Sequence, residues 1–261
     1  MLHLRVLSAL VGIPLAVFVV WHGGLLLLGF IGLVIVLGAL EAIRIFNNLD
    51  MRPNHLLVIL GLLLVLLTVY LQFWPLAAIT FTALLLLHML LMLVYYPHYR
   101  PTDVSAGLFV TMYLSLLTYI YLISTLPEGR HWIFLMLVGT WASDTFAYFA
   151  GRAFGKHKLS SLISPKKTWE GAFGGVIGSL LGVYIYSYFL IPIDLPWLIL
   201  LGLLISASSQ IGDLVESGLK RHAKVKDSGR LIPGHGGVLD RFDSMLLSAP
   251  LVYYYVLMLI I

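Results

Sequence analysis

Hydrophobic runs of membrane-spanning length recur from one end of this chain to the other, and no other feature limits its fold so severely. A bilayer core takes roughly 20 apolar residues per helix. On that ruler the sequence reads as about nine spans, at 6–21, 25–46, 55–74, 76–96, 105–125, 132–151, 170–191, 196–218 and 244–261. The expectation is an all-α, polytopic transmembrane helical bundle forming one integral membrane domain over 1–261. Composition agrees, with 60% hydrophobic and 11% charged residues and a mean hydropathy of +0.98, far from a soluble profile. There is no cysteine, so disulfides and thiolate metal sites are excluded. Phe73-Trp74-Pro75 is all that parts the third and fourth spans, which predicts a tight helical hairpin. The first span follows Arg5 in the manner of a signal peptide. The apolar pattern runs on into further spans with no A-x-A-like site before Leu25, so an uncleaved first helix is expected.

An isoelectric point near 9.2 raises nucleic acid as a partner. The basic residues lie between hydrophobic spans, so topology and anionic ligands account for them and no nucleic acid is expected. With the N-terminus cytoplasmic, fifteen of the sixteen Lys and Arg residues fall on the inside and only Arg130 outside. That bias is the positive-inside pattern. It predicts a multi-pass protein of the cell's inner (plasma) membrane, with Ile261 outside and both large basic loops in the cytoplasm. Any active site would then be on the cytoplasmic side.

Charge inside the spans is uneven. Spans one to five carry almost none, apart from Glu41 near the end of span two, whereas Asp144, Glu170, Asp213, Glu216, Asp240 and Asp243 lie in or beside spans six to nine. Residues 1–130 therefore read as packing spans and 131–261 as catalytic spans with their loops. Between 217 and 243 the polar stretch SGLKRHAKVKDSGRLIPGHGGVLDRFD holds Lys220, Arg221, Lys224, Lys226, Arg230, a glycine-rich turn and three carboxylates. Cations suit phosphate, glycines admit backbone N–H groups to an anion, and spaced aspartates can hold a hard divalent cation.

An ionised carboxylate at helix centre costs on the order of 3 kcal/mol, so Asp144 needs a partner, a proton or water. Either it is protonated and hydrogen-bonded within the bundle, or it lines a polar cavity with Tyr148 one turn on. In KHKLSSLISPKKTWEG, Lys166 and Lys167 precede a helix expected to start near Glu170 and Gly171, a position that attracts anions. Lysines at a membrane edge also serve simply as orientation signals. Glycines 171, 174, 175, 178 and 182 suit close helix packing. Along span eight, Asp213, Glu216, Ser217 and Lys220 share one helical face and read as a cavity wall. Asp213, Asp240 and Asp144 together suit Mg²⁺, with ordinary salt bridging as the alternative for Asp240-Arg241-x-Asp243. Between two glycines, His235 reads as a turn residue or phosphate contact rather than a general base, and His88 as a satisfied bundle histidine.

Three segments carry a resemblance. They are Asp144-Thr145-x-Ala147-Tyr148-x-x-Gly151-Arg152; then Ser164-Pro165-Lys166-Lys167-Thr168-x-Glu170-Gly171; then Ser217-x-x-Lys220-Arg221, Lys226-Asp227 and Pro233-x-His235-Gly236-Gly237-x-x-Asp240-Arg241-x-Asp243. From about residue 139 to 243 the sequence resembles the phosphatidate cytidylyltransferases, or CDP-diacylglycerol synthases. Across the N-terminal spans only the hydropathy is alike. The resemblance implies that CTP and phosphatidate give CDP-diacylglycerol and pyrophosphate, that Mg²⁺ is required, that the protein is a homodimer among membrane lipids, and that Asp213 and Asp240 bind metal.

On that footing Asp213, Asp240 and Asp144 are expected to hold Mg²⁺, singly or with a second metal ion. Lys167 and Lys220 join Asp213 and Asp240 as catalytic residues. Lys166, Arg221, Lys226, His235, Gly236, Gly237, Ser217 and Arg241 would bind substrate, and Glu216, Asp243 and Tyr148 would orient the others. Two other readings remain: a CTP-dependent lipid-alcohol kinase, and a cation transporter using the intramembrane aspartates. The charge gathers toward one membrane face with no inverted repeat, which disfavours a transporter.

Overall fold

The computed structural model describes residues 2–260, with the side chains of residues 2–7 and 9 outside the described set; the expected inside charge of Arg5 is among these. The protein is an all-α polytopic bundle. Its helices are α1 (Leu2–His22), α2 (Gly24–Asn47), α3 (His55–Leu71), α4 (Trp74–Val94), α5 (Pro101–Ser115), α6 (Thr118–Ser124), α7 (Gly129–Phe154), α8 (Trp169–Leu190), α9 (Leu195–His222) and α10 (Leu239–Leu259). Among the described residues seven segments are long and apolar enough to cross a bilayer, with α5 and α6 counted as one, whereas α3 is a shorter apolar helix of 17 residues. The nine expected spans are all helical, and α1 runs for 21 residues.

Local chemistry sets most helix ends. Asn54 caps α3 by accepting from the Leu57 N–H at 3.0 Å. Gln72, at a φ of 51°, closes α3 and Pro75 opens α4, which makes the expected hairpin. Asp103, fully buried, caps α5 by accepting from the Arg100 N–H and also takes the Arg52 N–H, both at 2.6 Å. The fifth expected span breaks between α5 and α6, where Thr118 Oγ1 donates to the Ser115 carbonyl at 2.6 Å and competes with the helical ladder.

One element departs from the all-α expectation. Strands β1 (Lys158–Ser160) and β2 (Ser164–Thr168) form a short antiparallel hairpin where the sequence reads as a loop. Pro165 is tolerated because each strand is an edge. Thr168 ends β2 and caps α8, accepting from the Gly171 N–H at 3.1 Å.

The chain separates into two compact units. One holds residues 1–121 with 219–241, the other 122–218 with 242–261. Residues 219–241, read above with the catalytic half, therefore belong with the N-terminal helices. In the first unit α2, α3, α4 and α5 pack on one another around Leu27, Ile35, Ile43, Leu62 and Leu114.

In the second, α7 lies against α8 along the expected small-residue stripe: a Cβ at Gly178 would stand 2.5 Å from the Ala142 carbonyl oxygen. Serines add polar stitching. Ser143 Oγ lies 3.0 Å from Ser206 Oγ, Gln210 Nε2 donates to Ser206 Oγ at 2.9 Å, and Ser208 Oγ lies 2.9 Å from Ser248 Oγ.

Gly178→Val should overpack the α7–α8 seam and lower stability by about 1–3 kcal/mol. Thermal unfolding of the purified protein in detergent measures this, and an unchanged midpoint would mean the two helices are not held so close.

Candidate active site

In the first unit α9 stops in a Schellman turn. Lys224 takes a φ of 57°, its N–H donates to the Arg221 carbonyl, and the Val225 N–H donates to the Lys220 carbonyl at 2.9 Å. The chain then returns through Ser228 and the Pro233–Gly237 turn, pinned by a bridge between Ile232 and Gly236, into the start of α10.

Two buried carboxylates organise that return. Asp240, on the first turn of α10, receives the Lys220 ammonium on Oδ1 at 2.5 Å. Its Oδ2 accepts from Gly237 N at 2.8 Å, Ser228 N at 2.9 Å and Ser228 Oγ at 3.0 Å. Glu41 comes from α2 and is 2% exposed. Its Oε1 accepts from Val238 N at 3.0 Å, and its Oε2 from Leu239 N and Ser228 Oγ, both at 2.9 Å. A hydroxyl has one proton, so Ser228 shares it between the two carboxylates. A buried carboxylate is tolerated only when its oxygens are met in this way. Both also lie at the N-terminus of α10, where the helix dipole favours negative charge.

The glycines of the turn follow from this crowding. Gly236 has a φ of 86°, and a Cβ there would stand 2.5 Å from Asp240 Oδ2. A Cβ at Gly237 would collide with Ser228 Oγ and the Glu41 carboxylate. The sequence reading had these glycines admit backbone to phosphate; here they admit it to the protein's own carboxylates. His235 is held in the turn as expected. Ser8 Oγ donates to the Pro233 carbonyl at 3.1 Å and lies 2.7 Å from His235 Nδ1, within hydrogen-bond distance.

The second unit holds the other lysine–carboxylate pair. Lys167, on β2, places its ammonium 2.7 Å from Asp213 Oδ2 on α9, and Ser217 Oγ donates to Asp213 Oδ1 at 3.1 Å. Strand alternation leaves the neighbouring Lys166 exposed. Glu170 turns back on the hairpin entry, accepting from the Lys156 and His157 N–H groups and meeting His157 Nδ1 at 2.6 Å. A Cβ at Gly212 would stand 2.5 Å from the Asp243 carbonyl oxygen, so α9 and α10 cross beside Asp213. Asp243 Oδ1 accepts from Ser244 N at 2.8 Å. Glu216 is buried and Asp144 exposed. Tyr148 accepts from Arg152 at 3.1 Å and is exposed.

Of the remaining expected substrate contacts, Arg221 donates to the Val225 carbonyl at 3.0 Å, and Arg221, Lys226 and Arg241 are all exposed. His88 is buried with Nδ1 2.7 Å from the Tyr99 hydroxyl, but Nε2 has no hydrogen-bond partner among the described residues, so it is only half satisfied. Sequence reasoning gave Glu41 and Ser228 no role, although Glu41 stood out as the lone carboxylate of the first five spans.

The donor chemistry fits a hard divalent cation. Asp213 and Asp240 offer only oxygen, and each already holds a lysine ammonium, a stand-in cation, on one oxygen at 2.7 and 2.5 Å. Asp213 is the more open, with its side chain 34% exposed against 6% for Asp240. Among the described residues no group of three His, Cys, Asp or Glu side chains is placed to hold a metal ion. An ion held at either aspartate would draw on substrate oxygens as well, which is how magnesium is usually held.

Comparison with known proteins gives a family match and close relatives. The model of a family described as the cytidylyltransferase family matches residues 3–259. Curated relatives named phosphatidate cytidylyltransferase include one from Staphylococcus saprophyticus, 49% identical over 135 residues, and one from Staphylococcus haemolyticus, 50% identical over 136. Another, from Staphylococcus aureus, is 48% identical over 136 residues. Each match covers 51% of this chain and 52% of the relative, so the chain spans about half the length of the curated relatives it matches.

Lys220→Met would strand Asp240 as a buried, unpaired charge and should cost about 3–5 kcal/mol. Adding Asp240→Asn should return a large part of that loss, as read from unfolding midpoints in detergent. Equal midpoints for Lys220→Met and wild type would mean the pair is not buried in solution.

Proposed function

The chain belongs to the cytidylyltransferase family, and we propose that it transfers the cytidylyl group of CTP to phosphatidate, forming CDP-diacylglycerol and pyrophosphate for phospholipid synthesis. The observation that carries this reading is the pair of buried or half-buried contacts Lys220–Asp240 and Lys167–Asp213. Both lie in the segments that resemble the phosphatidate enzymes. The names of the relatives supply the choice of phosphatidate as acceptor.

The reaction asks for this inventory. The attacking phosphate monoester of phosphatidate is already mostly ionised near neutral pH, because its second pKa is about 6, so a general base has little to do. The obstacle is repulsion between that anion and a triphosphate, several kcal/mol per charge pair at contact in an effective dielectric near 20. Lys220 and Lys167, preset by their carboxylates, would meet phosphate oxygens without a reorganisation cost. Lys166, Arg221, Lys226 and Arg241 would add exposed positive charge around them. Asp213 and Asp240, with Asp144 in the role expected from the sequence, would hold Mg²⁺, and a bound ion would neutralise charge on the transferring and leaving phosphates. His235, anchored through Nδ1, serves the turn rather than proton transfer. The reading also includes a cytoplasmic N-terminus and active site, an inner-membrane location and a homodimer. The lopsided lysine and arginine distribution supports the first of these.

Purified full-length protein with phosphatidate and Mg²⁺ should release pyrophosphate with CTP and not with the other three nucleoside triphosphates. CDP plus a phosphorylated lipid alcohol would instead assign a lipid kinase, and cation flux into liposomes without CTP turnover a transporter. Asp240→Asn should abolish turnover in a folded protein, and near-normal activity would remove Asp240 from the site. Lys167→Ala should raise KM for CTP more than it lowers kcat; an unchanged CTP dependence would end its assignment to phosphate binding.

A further inference from the structure

Glu41 is the only carboxylate in the first five spans inferred from the sequence, and nothing in the chemistry above uses it. It is nevertheless as fully engaged as Asp240. Three donors meet it, all from the segment 228–239 and so from the far end of the first unit's sequence: Ser228 Oγ at 2.9 Å, Val238 N at 3.0 Å and Leu239 N at 2.9 Å. Bulk near it is excluded on two sides, since a Cβ at either Gly229 or Gly237 would collide with its carboxylate. The Ser228 hydroxyl that it receives also lies 3.0 Å from Asp240 Oδ2, and the opposite oxygen of Asp240 carries Lys220 at 2.5 Å.

We propose that Glu41 is a positioning residue for the catalytic site: from α2 it fixes the N-terminus of α10 and, through the Ser228 hydroxyl, the orientation of Asp240 and with it the Lys220 ammonium. The inference rests on the cytidylyl-transfer reading only for its activity readout. Its physical basis is that the Asp240 side chain would otherwise depend on the glycine turn alone for its aim. A carboxylate held by three local donors can keep one orientation only if those donors are themselves fixed, and Glu41 fixes two successive amides and the shared hydroxyl. This also gives the first unit's helices a function in a chain whose chemistry reads as C-terminal. Removing such a support typically costs 10–100-fold in activity.

The test compares wild type, Glu41→Gln, Ser228→Ala and the double variant as full-length protein in detergent, with Asp103→Asn as a comparator. Asp103 is likewise a buried carboxylate capping a helix, but it touches Arg52 N and Arg100 N and has no link to Asp240. Glu41→Gln should lower kcat at least about tenfold with KM for CTP changed less than about twofold, the signature of misplaced rather than missing binding groups. Ser228→Ala should do the same, and the double variant should be no worse than the poorer single, because both break one relay. Amide exchange at residues 237–240 should quicken in Glu41→Gln and stay as in wild type in Asp103→Asn. Wild-type kcat in folded Glu41→Gln, or additive losses in the double variant, would overturn the proposal. If Glu41→Gln does not accumulate as folded protein, Ser228→Ala decides: wild-type kcat there overturns it as well. Absence of CTP turnover in the wild type would defeat the functional reading alone, and the exchange result at 237–240 would then judge Glu41 by itself.

Discussion

A carboxylate cannot be left bare in an apolar interior, and in this protein that requirement shapes the polar segment between α9 and α10. Asp240 and Glu41 are both almost wholly buried, and both draw their donors from the same short stretch of backbone. The stretch must therefore fold back tightly, which forces glycine at 236 and 237 and leaves the Ser228 hydroxyl wedged between two acids. That demand acts together with the Ile232–Gly236 bridge and the Ser8 contact to Pro233 to hold a run of polar and glycine residues in one conformation.

The same demand arranges the cations. Lys220 is held against Asp240 and Lys167 against Asp213, so each ammonium is kept near one place. On the proposed reading, holding two long side chains in place beforehand suits phosphate transfer, which relies on positioning and electrostatic stabilisation. Exposed Lys166, Lys226 and Arg241 are a different kind of positive charge: solvated and mobile, suited to attracting an anion rather than fixing one.

What was legible in the sequence divides along the range of the forces involved. The α7–α8 seam was readable because its glycines recur at helical spacing on one element. The α3–α4 hairpin was readable from Pro75 and its neighbours, which act locally. The β1–β2 hairpin was not, since a Pro-Lys-Lys run has no alternation to announce a strand, and its strand is ordered by pairing with residues four to ten positions away. The break between α5 and α6 was missed for a related reason: hydropathy runs smoothly through it, and the hydroxyls of Ser115 and Thr118 bond back to the ladder there. Among the candidate site residues, the motif drew attention to Asp213, Asp240 and the lysines, which the structure pairs with one another. It gave no hint of Glu41, whose nearest partner side chain is 187 residues away in the chain.

By itself the amino-acid sequence determined that this is a helical membrane protein, roughly where its helices run, and which family it resembles. Hydrophobic transfer is additive over neighbouring residues, and charges are costly wherever lipid surrounds them, so both are written locally. Only the tertiary structure decided which cation each carboxylate holds, and that a glutamate of α2 serves the start of α10. Hydrogen bonds act over about 3 Å, and which groups come that close depends on how helices distant in sequence pack together.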